Sequence, residues 1–337
     1  MARALTKNDT TEVGAKTALQ DALGLPTGTT ILTRGREVVG QRWMLFGGWV
    51  SLSCLLFAKP LGAFVQACVS DDDSSYLILI PAISVAIVFL ERQNIFRNIS
   101  HDALLSGCLV TISGLTALIA HYGVNGALPG PHLSAYILSL VLVWIAGFGL
   151  LFGRQAVSRA SFPLLFLFLM VPLPAFVLDR VTYWLQVGSA WITGLVFDVF
   201  GVPAMRDGLV FHLPRVSIEV AKECSGIRSS MVLLILALVI VHFCLKKFWT
   251  KATFVLVGLF VMILKNGIRI ATLTLLSIYV DPGFLYGRLH HQGGILFFLF
   301  GLLLLLPVLR LLQHTEDQNR LVVTAGDTIS GPQSSPS

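Results

Sequence analysis

The stretch EVAKECSGIRSSM, residues 219–231, leads directly into the apolar run VLLILALVIVHFC, residues 232–244. Polar residues give way to a long apolar helix here, so the chain is expected to enter a membrane just past Cys224. A thiol at the start of a helix, with Lys222 and Arg228 close in sequence, ionises more readily than an ordinary one because each feature favours the thiolate. Most membrane cysteines are unreactive, however, so Cys224 alone does not establish a chemistry.

The composition places the whole chain in the membrane class. Of its 337 residues, 55% are hydrophobic and only 12% are charged, which excludes an ordinary water-soluble globular protein. Runs of about 17 to 20 apolar residues recur along the sequence, and this length is typical of transmembrane α-helices. The prediction is an all-α polytopic membrane protein with about eight transmembrane helices. The predicted segments are 43–60, 76–92, 103–121, 134–152, 161–178, 228–245, 252–275 and 294–312.

Lysine and arginine alternate between the predicted loops. The stretch before the first segment is basic, as are the loops after the second, fourth and sixth segments, whereas the other loops are poor in basic residues. Loops rich in positive charge face the cytoplasm. Both termini are therefore expected in the cytoplasm, and the long connection 179–227 is expected outside.

The connection 179–227 is expected to hold two structures of its own. Residues 180–202 are apolar and aromatic with three polar interruptions, which favours an interfacial or re-entrant helix on the outer face over a ninth span. Asp207-Gly208 followed by an alternating run predicts a short hairpin before Cys224. The preceding Val-Pro-Leu-Pro-Ala at 171–175 predicts a helix break.

The two ends of the chain differ in composition from its middle. Residues 1–41 are polar and rich in threonine, without the apolar core of a signal peptide, and are predicted to be a disordered cytoplasmic tail. Residues 42–313 are predicted to form the membrane domain. Residues 314–337, whose end is rich in Ser, Thr, Gly and Pro, are predicted to be a flexible cytoplasmic tail.

The predicted topology brings an arginine and two histidines to the same outer side as the cysteine. Arg269 lies in an apolar segment, where an ionisable residue is costly and is therefore a functional candidate. It follows Lys251 by 18 residues, and the helical rise carries it about 27 Å toward the outer surface. Asn266 precedes it by three residues on the same helix face. His290 and His291 end the next outer loop, at the mouth of the eighth segment.

These residue types suit covalent acyl transfer. A thiolate attacks an amide carbonyl and forms a thioester, a histidine moves a proton near neutral pH, and a guanidinium offers fixed donors to an oxyanion or a carboxylate. A site of this kind requires the side chains of Cys224, Arg269 and His290 to converge within about 8 Å. The alternatives are an arginine that snorkels, histidines of a surface loop, and glycines that serve helix packing. The predicted supporting residues are Arg228, Asn266, Ser225, Gly226 and His291.

No metal or other cofactor is expected. The five cysteines show no CxxC or metal-finger spacing. The sequence contains neither an HExxH zinc motif nor a GxSxG nucleophile elbow. Zinc-protease and serine-protease mechanisms are therefore disfavoured.

Three motifs follow one another in order: Glu-Cys-Ser-Gly-Ile-Arg-Ser at 223–229, Asn-Gly-Ile-Arg-Ile at 266–270 and His-His-Gln-Gly-Gly at 290–294. At these residues, and over about residues 76–312, the sequence resembles the exosortase/archaeosortase family of integral-membrane cysteine transpeptidases. The resemblance implies that Cys224 is the nucleophile, Arg269 the family arginine and His290 the family histidine. That histidine is usually followed by three residues and a glycine, a spacing that His290 fits and His291 does not.

The resemblance also implies a substrate and a location. Family members cut exported proteins near a Pro-containing C-terminal motif of the PEP-CTERM type, which precedes a transmembrane helix and a basic cluster. They pass the new carboxyl terminus to an envelope acceptor, a lipid or a glycan, and many lie beside exopolysaccharide genes. A histidine as third site residue resembles the bacterial branch, which implies a bacterial inner membrane and a periplasmic site. Ile295, where a tryptophan often stands, leaves the subfamily open.

Two other functions fit the same residues. One is a non-catalytic membrane component of exopolysaccharide export, in which intramembrane polar residues such as Arg269 line a path. The other is a cysteine peptidase that uses water as its only acceptor. Loss of activity in Cys224→Ser separates thiol chemistry from transport, and product analysis separates transfer from hydrolysis.

Overall fold

The computed structural model describes residues 28–70, 72–97, 100, 102–122, 129–214, 216–222, 227–281, 283 and 294–329. Most of these residues are helical, as the long apolar runs predicted. Two 3₁₀ helices, Asp72–Ile78 and Leu167–Met170, and three short strands, β1 (Met205–Asp207), β2 (Val210–His212) and β3 (Ser217–Glu219), lie between the α-helices. The α-helices are α1 (Gly28–Leu56), α2 (Ala58–Ser70), α3 (Leu79–Leu90), α4 (Arg92–Ile95), α5 (Ala103–Tyr122), α6 (Pro129–Phe152), α7 (Arg154–Arg159), α8 (Ser161–Phe166), α9 (Ala175–Val199), α10 (Ile227–Cys244), α11 (Phe248–Tyr279) and α12 (Gly294–Ile329).

Within the described residues, five helices are long and apolar enough to cross a membrane: α5, α6, α10, α11 and α12. The number rises to seven if each of two bent pairs, α1 with α2 and residues 161–170 with α9, forms one span. Residues 74–90 add a shorter apolar helix. The predicted all-α polytopic membrane protein is thus confirmed. The number of eight spans stays a prediction, although each predicted segment overlaps one of these helices.

Two predicted spans are not single straight helices. The first, 43–60, ends as α1 at Leu56 and restarts as α2 at Ala58, because the ring of Pro60 would clash with the carbonyl four residues earlier in a continuous helix. The fifth, 161–178, breaks after Met170, as the two prolines at 172 and 174 predicted. The preceding ten helical residues rise only about 15 Å.

The tails were assigned by composition, and their boundaries stay predictions. Residues 1–27 and 330–337 lie outside the described part of the chain. Helix α1 begins at Gly28, and α12 continues to Ile329, so both helices reach past the predicted limits of the membrane domain at 42 and 313.

The described helices fall into two compact units, and the first contains residues 1–64 and 80–171. Its core is aromatic, with Phe148 and Phe152 packed edge to face or tilted against Phe46 and Phe96. Neutral hydrogen bonds join its helices. The indole of Trp49 on α1 donates to the carbonyl of Val143 on α6 at 2.9 Å.

The second unit contains residues 65–79 and 172–337. Helix α11 is its centre, since α9, α10 and α12 all pack against it. At the start of α11, the Glu316 carboxylate of α12 accepts the backbone N–H groups of Lys246 at 3.0 Å and Lys247 at 2.9 Å, together with the hydroxyl of Thr250. A negative charge at this helix N-terminus offsets the helix dipole and satisfies groups that otherwise lack partners.

The hairpin predicted before Cys224 is present and has a third strand. Strands β1, β2 and β3 pair antiparallel, with Arg206 opposite Phe211 and Phe211 opposite Ile218. Gly208 takes a positive φ of 60° in the two-residue turn, which a glycine adopts without strain. Phe211 is buried edge to face against Phe197 of α9 at 5.5 Å between ring centroids. The sheet is therefore fixed to α9.

Candidate active site

Arg269 shares one face of α11 with Met262 and Lys265, because the three positions are spaced by three and four residues. The Arg269 side chain is half-buried, and its Nε atom is fully buried. A guanidinium stays charged in such a place, because its pKa is too high for burial to remove the proton. This helix face therefore holds a permanent positive charge inside an apolar span.

Lys265 is a second cation on this face that the sequence analysis did not single out. It is 2% exposed, and its ammonium donates a hydrogen bond to the hydroxyl of Ser229 in the first turn of α10. Its stem lies beside Gly301 of α12, where an added Cβ would come within 3.3 Å of the lysine Cδ. The signal that could have found it is a lysine inside an apolar run, one turn before Arg269.

Asn266 contacts α9. Its Nδ2 donates to the Ser189 hydroxyl at 2.9 Å, and both side chains are buried. The next residue, Gly267, lets the two helices approach closely, since a Cβ there would lie 2.5 Å from the Cβ of Ile192 and 2.9 Å from the Ser189 carbonyl. Thr193 donates to the Gly267 carbonyl at 3.1 Å. The Asn266–Ser189 contact thus joins α11 to α9, and the predicted supporting role of Asn266 stays a prediction.

The chain that leads from the sheet toward Cys224 is tied to α9. The Gln186 side chain donates to the Val220 carbonyl at 2.7 Å in a buried position. Two residues later, Lys222 forms an exposed salt bridge of 2.8 Å with Asp179 near the start of α9. The buried hydrogen bond is the stronger constraint, because exposed ion pairs contribute little.

Helices α10 and α11 run antiparallel, and two contacts fix their register. Ser229 is level with Lys265, and Ala237 is level with Gly258, whose Cβ would lie 4.0 Å from the Ala237 Cβ. Going toward the C-terminus of α11 therefore corresponds to going toward the N-terminus of α10. From this register and the helical rise, Arg269 lies about 3 Å beyond the level at which α10 begins with Ile227. Along the helix axis, the arginine therefore lies just beyond the N-terminal end of α10.

Comparison with protein families supplies the decisive observation. The model of the transmembrane exosortases (Exosortase_EpsH) matches residues 68–307, more than two thirds of the chain. This chain belongs to the transmembrane exosortase family. Searches of curated proteins and of solved structures give no match. The matched range contains every candidate site residue of this exosortase.

The structure describes only part of the predicted exosortase site. Cys224, Ser225, Gly226, His290 and His291 lie outside the described residues, so the predicted convergence within about 8 Å stays a prediction. Of the remaining candidates, Asn266 and Arg269 lie in the C-terminal half of α11, and Arg228 is exposed in the first turn of α10. Over the described residues, His, Cys, Asp and Glu side chains form no group of three that could hold a metal ion.

Proposed function

We propose that this exosortase is a membrane-embedded cysteine transpeptidase in which Cys224 is the nucleophile, Arg269 the stabilising cation and His290 the proton carrier. The observation that carries the proposal is the register of α10 and α11. Arg269 is level with the chain just before Ile227, and Cys224 precedes Ile227 by only three residues. Three residues span at most about 11 Å, and this short separation from α10 supports the proposal that the nucleophile and the arginine meet.

The proposed reaction has two steps. The Cys224 thiolate attacks the carbonyl carbon of a peptide bond, Arg269 stabilises the oxyanion, and the C–N bond breaks as His290 gives a proton to the leaving amine. This forms a thioester between Cys224 and the new carboxyl terminus. An acceptor amine or hydroxyl, having lost its proton to His290, then attacks the thioester and releases the thiolate.

The proposed substrates are exported proteins with a PEP-CTERM-like signal, which is a Pro-containing motif followed by a transmembrane helix and a basic cluster. A substrate anchored in the same membrane meets a nucleophile at the membrane boundary without leaving the lipid. The proposed site faces the periplasm of a bacterial inner membrane, since the basic loops favour the cytoplasm on the other side. The proposed acceptor is a lipid or a glycan of the envelope.

The two cysteines that flank α10 provide a matched test. Cells expressing a tagged substrate with such a signal are compared for wild type, Cys224→Ser and Cys244→Ser, at equal enzyme abundance. Processing is expected to be lost in Cys224→Ser and kept in Cys244→Ser, because Cys244 ends α10 at the opposite side. Processing that persists in Cys224→Ser would contradict thiol chemistry and favour an export component.

Mass spectrometry of the released product separates transfer from hydrolysis. A substrate carboxyl terminus that carries the mass of an acceptor supports transfer. A free carboxylate as the only product contradicts it and supports a cysteine peptidase.

A further inference from the structure

We propose that Lys265 is a positioning residue of the exosortase reaction, which acts by holding the first turn of α10 against α11 through Ser229. The inference rests on the proposed function, because the segment that Lys265 would place is the one that carries Cys224. It adds a residue that is absent from the Cys–Arg–His set and lies one helical turn inward of Arg269.

Burial of the Lys265 charge lowers the stability of the fold, so stability does not explain why a lysine stands here. Its side chain is 2% exposed within an apolar span, and Arg269 adds a like charge one turn away. Among the described residues, no carboxylate lies within ion-pair distance of its ammonium, and the hydroxyl of Ser229 is the acceptor that it reaches. An apolar side chain of similar volume is usually as stable or more stable at such a site. The charge therefore points to a role beyond packing.

The lysine stem is enclosed by three helices, which makes the ammonium a fixed point. Gly301 of α12 faces the lysine Cδ, and the same glycine approaches Leu233 of α10 and Val261 of α11 at 3.4 and 3.7 Å from its would-be Cβ. Leu233 and Val261 are both buried. The stem thus has little freedom to turn, and the hydrogen bond to Ser229 is held in one direction.

This hydrogen bond holds the first turn of α10, and a small shift of that turn would displace the chain that precedes it. Ser229 is the third residue of α10 and follows Cys224 by five positions. A change in the rotation or height of this turn moves the chain before it relative to Arg269. A misplacement of about 1 Å between reacting groups can slow a reaction about 100-fold. Loss of the Lys265–Ser229 bond is therefore expected to lower kcat rather than substrate affinity.

The test compares Lys265→Met, Ser229→Ala and the double variant in purified, detergent-solubilised exosortase with a tagged substrate. Lys265→Met is expected to lower kcat about 10- to 100-fold with KM changed less than about two-fold, and to leave the thermal unfolding temperature equal or higher. Ser229→Ala should have a smaller effect, and the double variant should be no slower than Lys265→Met. Lys265→Arg, which keeps a donor cation, should recover part of the rate. Lys251→Met is the control for loss of a lysine from the same helix.

Each other outcome overturns the inference. Wild-type kcat in Lys265→Met removes any role in the reaction, and a parallel fall of activity and unfolding temperature makes the residue structural. If the fall in kcat of the double variant is the product of the falls in the two single variants, Lys265 does not act through Ser229. Cys224→Ser is measured in the same assay to test the proposed function separately. If Cys224→Ser stays active, the proposed thiol chemistry is wrong; if it is inactive, the results above bear on Lys265 alone.

Discussion

The two compact units bury different kinds of polar side chain. In the described part of the first unit, every buried polar side chain is a serine: Ser53, Ser84, Ser106, Ser113, Ser134 and Ser139. In the described part of the second unit, the buried set includes amides and two charged residues, Lys265 and Glu316. Helix packing alone can be achieved with neutral hydroxyls, as in the first unit, whereas buried charges require specific partners.

Serines join helices at low cost. The hydroxyls of Ser113 on α5 and Ser139 on α6 lie 2.9 Å apart, and each is also within hydrogen-bond distance of the other residue's carbonyl oxygen. Each hydroxyl has one proton, which it donates to one of these acceptors. Such neutral bonds hold membrane helices together without burying a charge. The charged residues of the second unit need more support. Near the middle of α11 the Ser229 hydroxyl accepts a hydrogen bond from Lys265, and at the start of α11 two backbone N–H groups donate to Glu316.

The largest effect is expected where α9 crosses α11. A methyl group at Gly267 would overlap Ile192 and the Ser189 carbonyl, so Gly267→Ala must push the helices apart and loosen the Asn266–Ser189 bond. Compared with Gly258→Ala, whose methyl group has room, it should lower the free energy of unfolding by about 2 to 3 kcal/mol. Thermal unfolding in detergent measures both. Equal stability of the two variants would show that the second unit does not depend on this close approach.

A smaller effect is expected at the N-terminal end of α11. Glu316→Ala removes the acceptor of two backbone N–H groups and one hydroxyl, and should cost about 1.5 to 2 kcal/mol. Asp317→Ala, at the exposed neighbouring position, is the control and should change stability by less than about 0.5 kcal/mol. If the two variants lose the same stability, the buried carboxylate is not a support of α11.

The smallest effect is expected in the first unit. Ser113→Ala and Ser139→Ala break a neutral pair, and a double-mutant cycle should give a coupling of about 0.6 kcal/mol, the size typical of membrane hydrogen bonds. Processing of substrate should stay at the wild-type rate in both variants. A loss of processing as large as that of Lys265→Met would break the distinction between the two units.

Sequence alone determined the class of the protein and predicted which residues carry its chemistry. Apolar runs long enough to cross a membrane predicted the helices, two prolines predicted the break after Met170, and Asp207-Gly208 predicted the hairpin. These features depend on local composition and backbone geometry, which a single chain displays directly. Arg269 was identified in the same way, because a charged residue in an apolar run can be recognised from the sequence without knowing its tertiary contacts.

Tertiary structure decided which side chains meet. Nothing near Asn266 in sequence shows that its side chain contacts Ser189, 77 residues away. The charge of Lys265 in an apolar run is visible in the sequence, but its contacts with Gly301 and Ser229 are not. These contacts join segments that are distant along the chain, and they depend on helix register and on the absence of a side chain at one glycine. Packing of this kind is fixed only when the helices are assembled.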